Sequence, residues 1–170
     1  VHLATAWQFD LRTWDESIYA HRVLAVVAEG SWLDQTASAE KGLWTAAHPP
    51  LLIWAMALSS LAFGLDELSL RLPSLLASLG ICVLLYRLSG ALGGARQLGW
   101  LALCVYLAVP YITDLTRRAQ LDGGVLFFMT LSLYLFCTPL PGRAPPRRAL
   151  ASGVALGLGL LSKLAVAALV

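Results

Sequence analysis

Four apolar stretches of about 20 residues dominate the sequence and limit the folds open to it. They cover about 72–92, 97–116, 121–140 and 149–170. Crossing roughly 30 Å of bilayer hydrocarbon takes about 20 helical residues, so each stretch is long enough to span a membrane. Hydrophobic residues make up 58% of the chain and charged residues only 13%, whereas soluble domains carry about 25% charged residues. We therefore predict an all-α, polytopic bundle of transmembrane helices.

A fifth apolar stretch, from Leu51 to Leu65, holds only about 15 residues and follows Pro49 and Pro50. Apolar runs of about 10–14 residues are typical of interfacial helices, and this stretch is barely longer. We expect it to lie on the membrane surface. The two prolines fit its first turn, where a missing N–H costs little.

Residues 15–30 are predicted to form a second surface helix, which is amphipathic. Thr13 and Glu16 fit a capping box, and Tyr19 and Val23 belong to an apolar stripe along one side of the helix.

Arginine placement predicts the orientation in the membrane. Arg143, Arg147 and Arg148 share a loop without an acidic residue, so the positive-inside rule places that loop in the cytoplasm. Counting spans backward makes residues 1–71 a first extracytoplasmic loop and residues 72–170 a membrane domain of about four spans. Because the chain starts without methionine and ends inside an apolar stretch, we expect a fragment of a longer protein. The net charge of +2 is too small to suggest nucleic-acid binding.

Acidic residues at the predicted outer membrane boundary are candidates for catalysis. Asp15 and Glu16 are adjacent, and Asp122 opens an apolar span on the same side. Carboxylates are costly near a bilayer, which favours a functional role. The alternative is structural: acids favour the first turn of a helix, Glu16 can complete the Thr13 cap, and Asp122 can cap its own helix.

Basic residues on the same side are candidates for anion binding. Lys163 lies late in an apolar stretch, where the alternative is that its ammonium group snorkels to the outer membrane edge. Arg12, Arg117 and Arg118 are either solvated or, together with Lys163, able to bind phosphate. His48, before the two prolines, is typical of a surface histidine or a helix cap.

The ordered motifs resemble those of the membrane-embedded, lipid-donor glycosyltransferases of the GT-C type. The most similar branch contains the protein mannosyltransferases and the aminoarabinose transferases of lipid A (glycosyltransferase family 39 and its relatives). The motifs that carry the resemblance are Asp15-Glu16-Ser17-Ile18-Tyr19-Ala20, His48-Pro49-Pro50-Leu51, Phe63-Gly64, Arg71-Leu72-Pro73-Ser74, Leu121-Asp122 and Gly157-Leu158-Gly159-Leu160-Leu161-Ser162-Lys163.

The resemblance implies an inverting transfer of a sugar from a polyprenyl-phosphate donor to a lipid, glycan or protein acceptor, on the extracytoplasmic face of a multi-pass membrane protein. Asp15 would be the general base, with Glu16 and Asp122 beside it in the catalytic site. Asp122 would orient the acceptor or hold a divalent cation with Asp15. No other cofactor is implied.

The resemblance also implies which residues bind substrate. Lys163, with Arg117 or Arg118, would neutralise the departing phosphate. Tyr19, His48 and Arg12 complete the predicted substrate-binding set.

Two departures from the family pattern bear on specificity. Leu164 stands where glycine often follows the lysine, and His48 stands where the aminoarabinose branch has lysine. The second departure argues against lipid A modification and leaves the acceptor open. The alternative function is a non-catalytic transporter or scaffold for lipid-linked sugars, although transport would favour charges near the bilayer midplane.

Overall fold

A computed structural model describes residues 15–33, 49–138 and 145–163, and within these ranges the chain contains helices and turns but no strand. The all-α class predicted from the sequence is confirmed. Helix α3 is central, since it packs against α2, α4, α5 and α6, while α1 packs against α2 and α7 against α6. The helices are α1 (Asp15–Glu29), α2 (Leu51–Phe63), α3 (Glu67–Ala91), α4 (Arg96–Ala108), α5 (Pro110–Thr116), α6 (Leu121–Cys137) and α7 (Pro145–Leu160).

Helix α3 begins before the predicted span at 72–92 because a capping box starts it. The Asp66 carboxylate accepts a hydrogen bond from the Ser69 N–H at 2.7 Å, and the Asp66 N–H donates to Ser69 Oγ at 3.2 Å. Pro73 therefore lies inside the helix. With 25 residues, α3 is long and apolar enough to cross a membrane.

The predicted span over 97–116 is two helices, α4 and α5, which meet at an angle of 77°. The break falls at Val109 and Pro110, because proline lacks the N–H needed to continue α4 but suits the first turn of α5. By length and composition, the described residues therefore contain one candidate span, α3, or two if the bent pair is a single broken span.

Helices α6 and α7 are shorter than the stretches predicted at 121–140 and 149–170. They contain 17 and 16 residues, which corresponds to lengths of about 26 and 24 Å. Helix α7 begins earlier than expected and ends at Leu160, so Lys163 follows the helix instead of lying within it. The polytopic bundle remains a prediction.

The core lies where α1, α2, α3 and the turn before α6 meet, and it confirms the apolar stripe predicted for α1. Helix α1 ends at Glu29, and Gly30 follows it with a φ of 67° that suits glycine. Thr13, the predicted cap, is outside the described residues. The buried core residues are Tyr19, Val23, Val26, Leu52, Ile53, Met56, Ala57, Leu70, Ala119 and Leu121.

Close helix contacts occur at glycines other than those the sequence indicates. Gly153 and Gly157 have a spacing that favours close helix packing, but a Cβ added at either would meet no described atom within 4 Å. A Cβ on Gly124 would instead lie 2.6 Å from Leu52 Cδ2, and one on Gly80 would lie 2.4 Å from Phe127 Cε2. Gly124 thus allows α6 to approach α2, and Gly80 allows α3 to approach α6.

Substituting these glycines tests the packing. We expect Gly124→Ala to lower the free energy of unfolding by about 1–3 kcal/mol, because Leu52 is buried and must move. Gly153→Ala is the matched control, and a helical alanine there should be neutral or stabilise by up to about 1 kcal/mol. Thermal unfolding in detergent measures both. Equal effects of the two substitutions would contradict the close contact between α2 and α6 at Gly124.

Candidate functional site

Glu16, in the first turn of α1, forms a buried ion pair with Arg71 of α3. Arg71 Nε donates to Glu16 Oε1 at 3.1 Å and Nη2 donates to Oε2 at 3.3 Å, so the contact is bidentate. The backbone N–H of Ala119 also donates to Glu16 Oε1, at 2.8 Å. Glu16 is 1% exposed and Arg71 3%. This carboxylate therefore ties α1 to α3 and to the turn that leads into α6.

Asp15, the neighbouring acid, is exposed at the start of α1. Its charge and that of Asp122 both act on Tyr19. Burial raises the pKa of Tyr19 to about 12, and the carboxylates of Asp15 and Asp122 add to the increase because they disfavour a phenolate nearby. The charge of Asp122 thus reaches Tyr19 in α1, although the two residues are far apart in the sequence. At neutral pH the Tyr19 hydroxyl keeps its proton.

Asp122 forms an ion pair with Lys163, whose Nζ lies 2.9 Å from Asp122 Oδ1. Both side chains are about one-third exposed, so the pair is accessible from solvent. Asp122 does not cap α6, because the N-cap position belongs to Gln120. The lysine reaches the pair from the turn after α7. That turn is held near the start of α2 by a hydrogen bond from the Leu51 N–H to the Leu161 carbonyl, at 3.2 Å.

Arg117 and Arg118 form a second charged group around Asp114 of α5. Arg117 Nη2 lies 2.8 Å from Asp114 Oδ1, and Arg118 Nη2 pairs with Asp114 Oδ2. The three side chains are 17–31% exposed. Any phosphate bound by these arginines would share them with the Asp114 carboxylate.

Two further residues of the predicted site, His48 and Arg12, lie outside the described residues. Within the described ranges, no three His, Cys, Asp or Glu side chains are close enough together to hold a metal ion.

Arg71, the partner of Glu16, is not among the site residues predicted from the sequence. The signal that points to it is the cost of burying Glu16, because an acid among apolar residues requires a cation, and arginine can meet a carboxylate with two hydrogen bonds.

Comparison with known proteins identifies relatives for most of the chain. A family model described as dolichyl-phosphate-mannose-protein mannosyltransferase matches residues 47–170. An undecaprenyl phosphate-alpha-4-amino-4-deoxy-L-arabinose arabinosyl transferase of Shewanella sediminis is 27% identical over 75% of this chain and 22% of its own length. An uncharacterized protein of Aquifex aeolicus is 31% identical over 72% of this chain and 24% of its own length. The chain thus spans less than a quarter of these relatives, and no solved structure matches it.

The buried ion pair predicts a strongly non-additive double-mutant cycle. Glu16→Met or Arg71→Met alone should cost about 3–5 kcal/mol of unfolding free energy, because each leaves one buried charge without its partner. Replacing both residues should recover most of that loss. Chemical unfolding of the four proteins measures the cycle. Asp114→Asn is the control, and loss of its part-exposed pairs should cost about 1 kcal/mol or less. Additive losses at Glu16 and Arg71 would contradict the coupling.

The pKa of Tyr19 predicts how stability changes with pH. The neutral phenol is favoured in the folded protein, so its contribution is complete below pH 10.0, the ordinary pKa, and is lost as pH rises toward about 12. Tyr19→Phe removes the ionisable group. We therefore expect the melting temperature of the wild type to fall more steeply above pH 10 than that of Tyr19→Phe. Parallel curves for the two proteins would contradict the shift.

Proposed function

Because the chain belongs to the dolichyl-phosphate-mannose-protein mannosyltransferase family, we propose that it forms part of a membrane glycosyltransferase. In this proposal a sugar moves from a polyprenyl-phosphate carrier to an acceptor hydroxyl on the extracytoplasmic face of a multi-pass protein. The observation that carries the proposal is the solvent-accessible Asp122–Lys163 pair, whose carboxylate acts, like that of Asp15, on Tyr19. Together these residues supply an exposed carboxylate and a part-exposed ammonium group.

Asp15 is the proposed general base. Its exposed carboxylate takes the acceptor proton while the acceptor oxygen attacks the anomeric carbon. The bond between that carbon and the phosphate oxygen breaks, and polyprenyl phosphate leaves with the bonding electrons. Attack from the face opposite the phosphate inverts the anomeric centre. The family match begins at residue 47, so this role rests on the geometry around Asp15 and on its motif.

Lys163 is the proposed partner of the leaving phosphate. Negative charge grows on the phosphate as the glycosidic bond breaks, and a fixed ammonium group stabilises that charge. Asp122 holds Lys163 in place and limits its motion. Arg117 and Arg118 are the further candidates for phosphate binding, with Asp114 orienting both guanidinium groups.

Glu16 has a positioning role in this proposal. Its carboxylate is buried against Arg71 and the Ala119 N–H, so it fixes Asp15 relative to the start of α6, where Asp122 lies. Tyr19 stays protonated near the two aspartates, and its role in substrate binding stays a prediction from its motif. Asp122 orients the acceptor, and a divalent cation shared with Asp15 is its alternative role.

The substrates are proposed by class only. The family description names a dolichyl-phosphate-mannose donor, and the Shewanella sediminis relative is named for an undecaprenyl-phosphate aminoarabinose. Both donors join a sugar to a polyprenyl phosphate, which is the feature that Lys163 would recognise. The acceptor, whether lipid, glycan or protein, follows from neither the charges nor the fold.

Release of polyprenyl phosphate by the full-length protein in membranes tests the proposal. With polyprenyl-phosphate mannose and aminoarabinose as donors, we expect Asp15→Asn to lower the release rate by about 10²–10⁴-fold, the usual contribution of a positioned base. Glu67→Gln is the control, because Glu67 is an exposed acid in the first turn of α3. Repeating the assay with a chelator tests the metal alternative.

Two outcomes would contradict this mechanism. Equal release by wild type and Asp15→Asn would remove Asp15 as the base. Absence of release from either donor, with movement of the intact donor across the membrane, would favour a transporter of lipid-linked sugars.

A further inference from the structure

Gln120 is buried at the start of α6, and its side-chain oxygen is unpaired within the described residues. It is 5% exposed, and its Oε1 atom has no hydrogen-bond partner among the described residues. Leaving a buried amide oxygen unpaired costs about 1–3 kcal/mol. A side chain that carries such a cost in the folded protein is a candidate for binding something else.

Helix capping does not explain this residue. Gln120 occupies the N-cap position of α6, yet its side chain makes no capping hydrogen bond. Serine, threonine, aspartate and asparagine are the residues favoured at this position, because their short side chains reach back to the helix backbone. Glutamine is therefore a poor choice for starting the helix.

The Gln120 backbone, in contrast, is firmly held. Its N–H donates to the Arg118 carbonyl at 2.8 Å, and its own carbonyl accepts from Ser74 Oγ at 3.0 Å. Ser74 is fully buried in α3. These two backbone hydrogen bonds fix the position from which the Gln120 side chain extends.

The neighbours of Gln120 in the chain belong to the candidate site. Ala119, directly before it, donates its N–H to Glu16, the residue next to Asp15. Asp122, two positions after it, pairs with Lys163. Gln120 thus lies on the short segment between Ala119, which binds Glu16, and Asp122, which pairs with Lys163.

We propose that the side-chain amide of Gln120 binds a hydroxyl group of the transferred sugar, an inference that rests on the proposed function. The unpaired Oε1 is an acceptor, so its partner must be a donor, which excludes phosphate oxygens without a proton. A sugar hydroxyl is a neutral donor, whereas Lys163 and the arginines are cations that suit phosphate. Gln120 is therefore a specificity-determining residue.

Stability measurements separate this role from a structural one. Gln120→Met keeps the length of the side chain but removes the amide. Without donor, we expect its melting temperature to equal or exceed that of the wild type, because an unpaired buried polar group has been removed. A structural hydrogen bond at this position would instead make Gln120→Met melt lower. Gln97→Met, at an exposed glutamine of α4, is the matched control.

Donor analogues identify the hydroxyl group. Polyprenyl-phosphate sugars that each lack one ring hydroxyl are compared by their kcat/KM for polyprenyl phosphate release, using wild type and both glutamine variants. On the complete donor, Gln120→Met should lose about 5- to 100-fold. One deoxy donor should cost the wild type a similar factor and cost Gln120→Met little further. The Gln97→Met variant should behave as wild type throughout.

The outcomes separate failure of this inference from failure of the proposed function. Normal turnover by Gln120→Met, or equal sensitivity of both proteins to every deoxy donor, would mean that the amide holds only a buried water and would overturn the inference. Donor-induced stabilisation in the Asp15→Asn background reports binding without turnover. Stabilisation that depends on Gln120 supports the inference even where no transfer is observed. Absence of both stabilisation and transfer overturns the two proposals together.

Discussion

The buried Glu16–Arg71 pair is the interaction on which the arrangement of the site depends. Removing two charges from water is costly, and bidentate geometry with an additional backbone N–H offsets that cost only while all three groups stay in place. The pair therefore has one acceptable geometry. Because the three groups belong to α1, α3 and the turn before α6, this geometry fixes where Asp15 lies relative to Asp122.

The sequence was sufficient for the helical class, and it singled out two charged residues that the structure brings into contact. Apolar stretches predict the helices, and the cost of a charge in apolar surroundings is enough to single out Asp122 and Lys163. Their direct contact, at 2.9 Å, follows from none of the sequence patterns, because it joins the first turn of one helix to the turn after another. Such a contact depends on tertiary packing between residues distant in the chain.

Helix ends and breaks were harder to predict, for local reasons. Hydropathy alone does not mark Pro110 as a break, since proline within an apolar stretch can also be tolerated, as Pro73 is in α3. Small-residue spacing likewise indicates Gly153 and Gly157, although close contacts between helices fall at Gly80, Gly99 and Gly124. Spacing reports which glycines share a helix face, but it does not report which face meets a neighbour.

The hydrogen bond between Leu51 and Leu161 has a consequence for how the chain is routed. The polypeptide enters α2 and leaves α7 at the same place, so the helices between them form a closed circuit. The Asp122–Lys163 pair lies beside the point where that circuit closes. The chain segments that lead into α2 and out of α7 therefore meet next to this pair. Substitutions in these two segments therefore change the surroundings of the Asp122–Lys163 pair without altering the helices themselves.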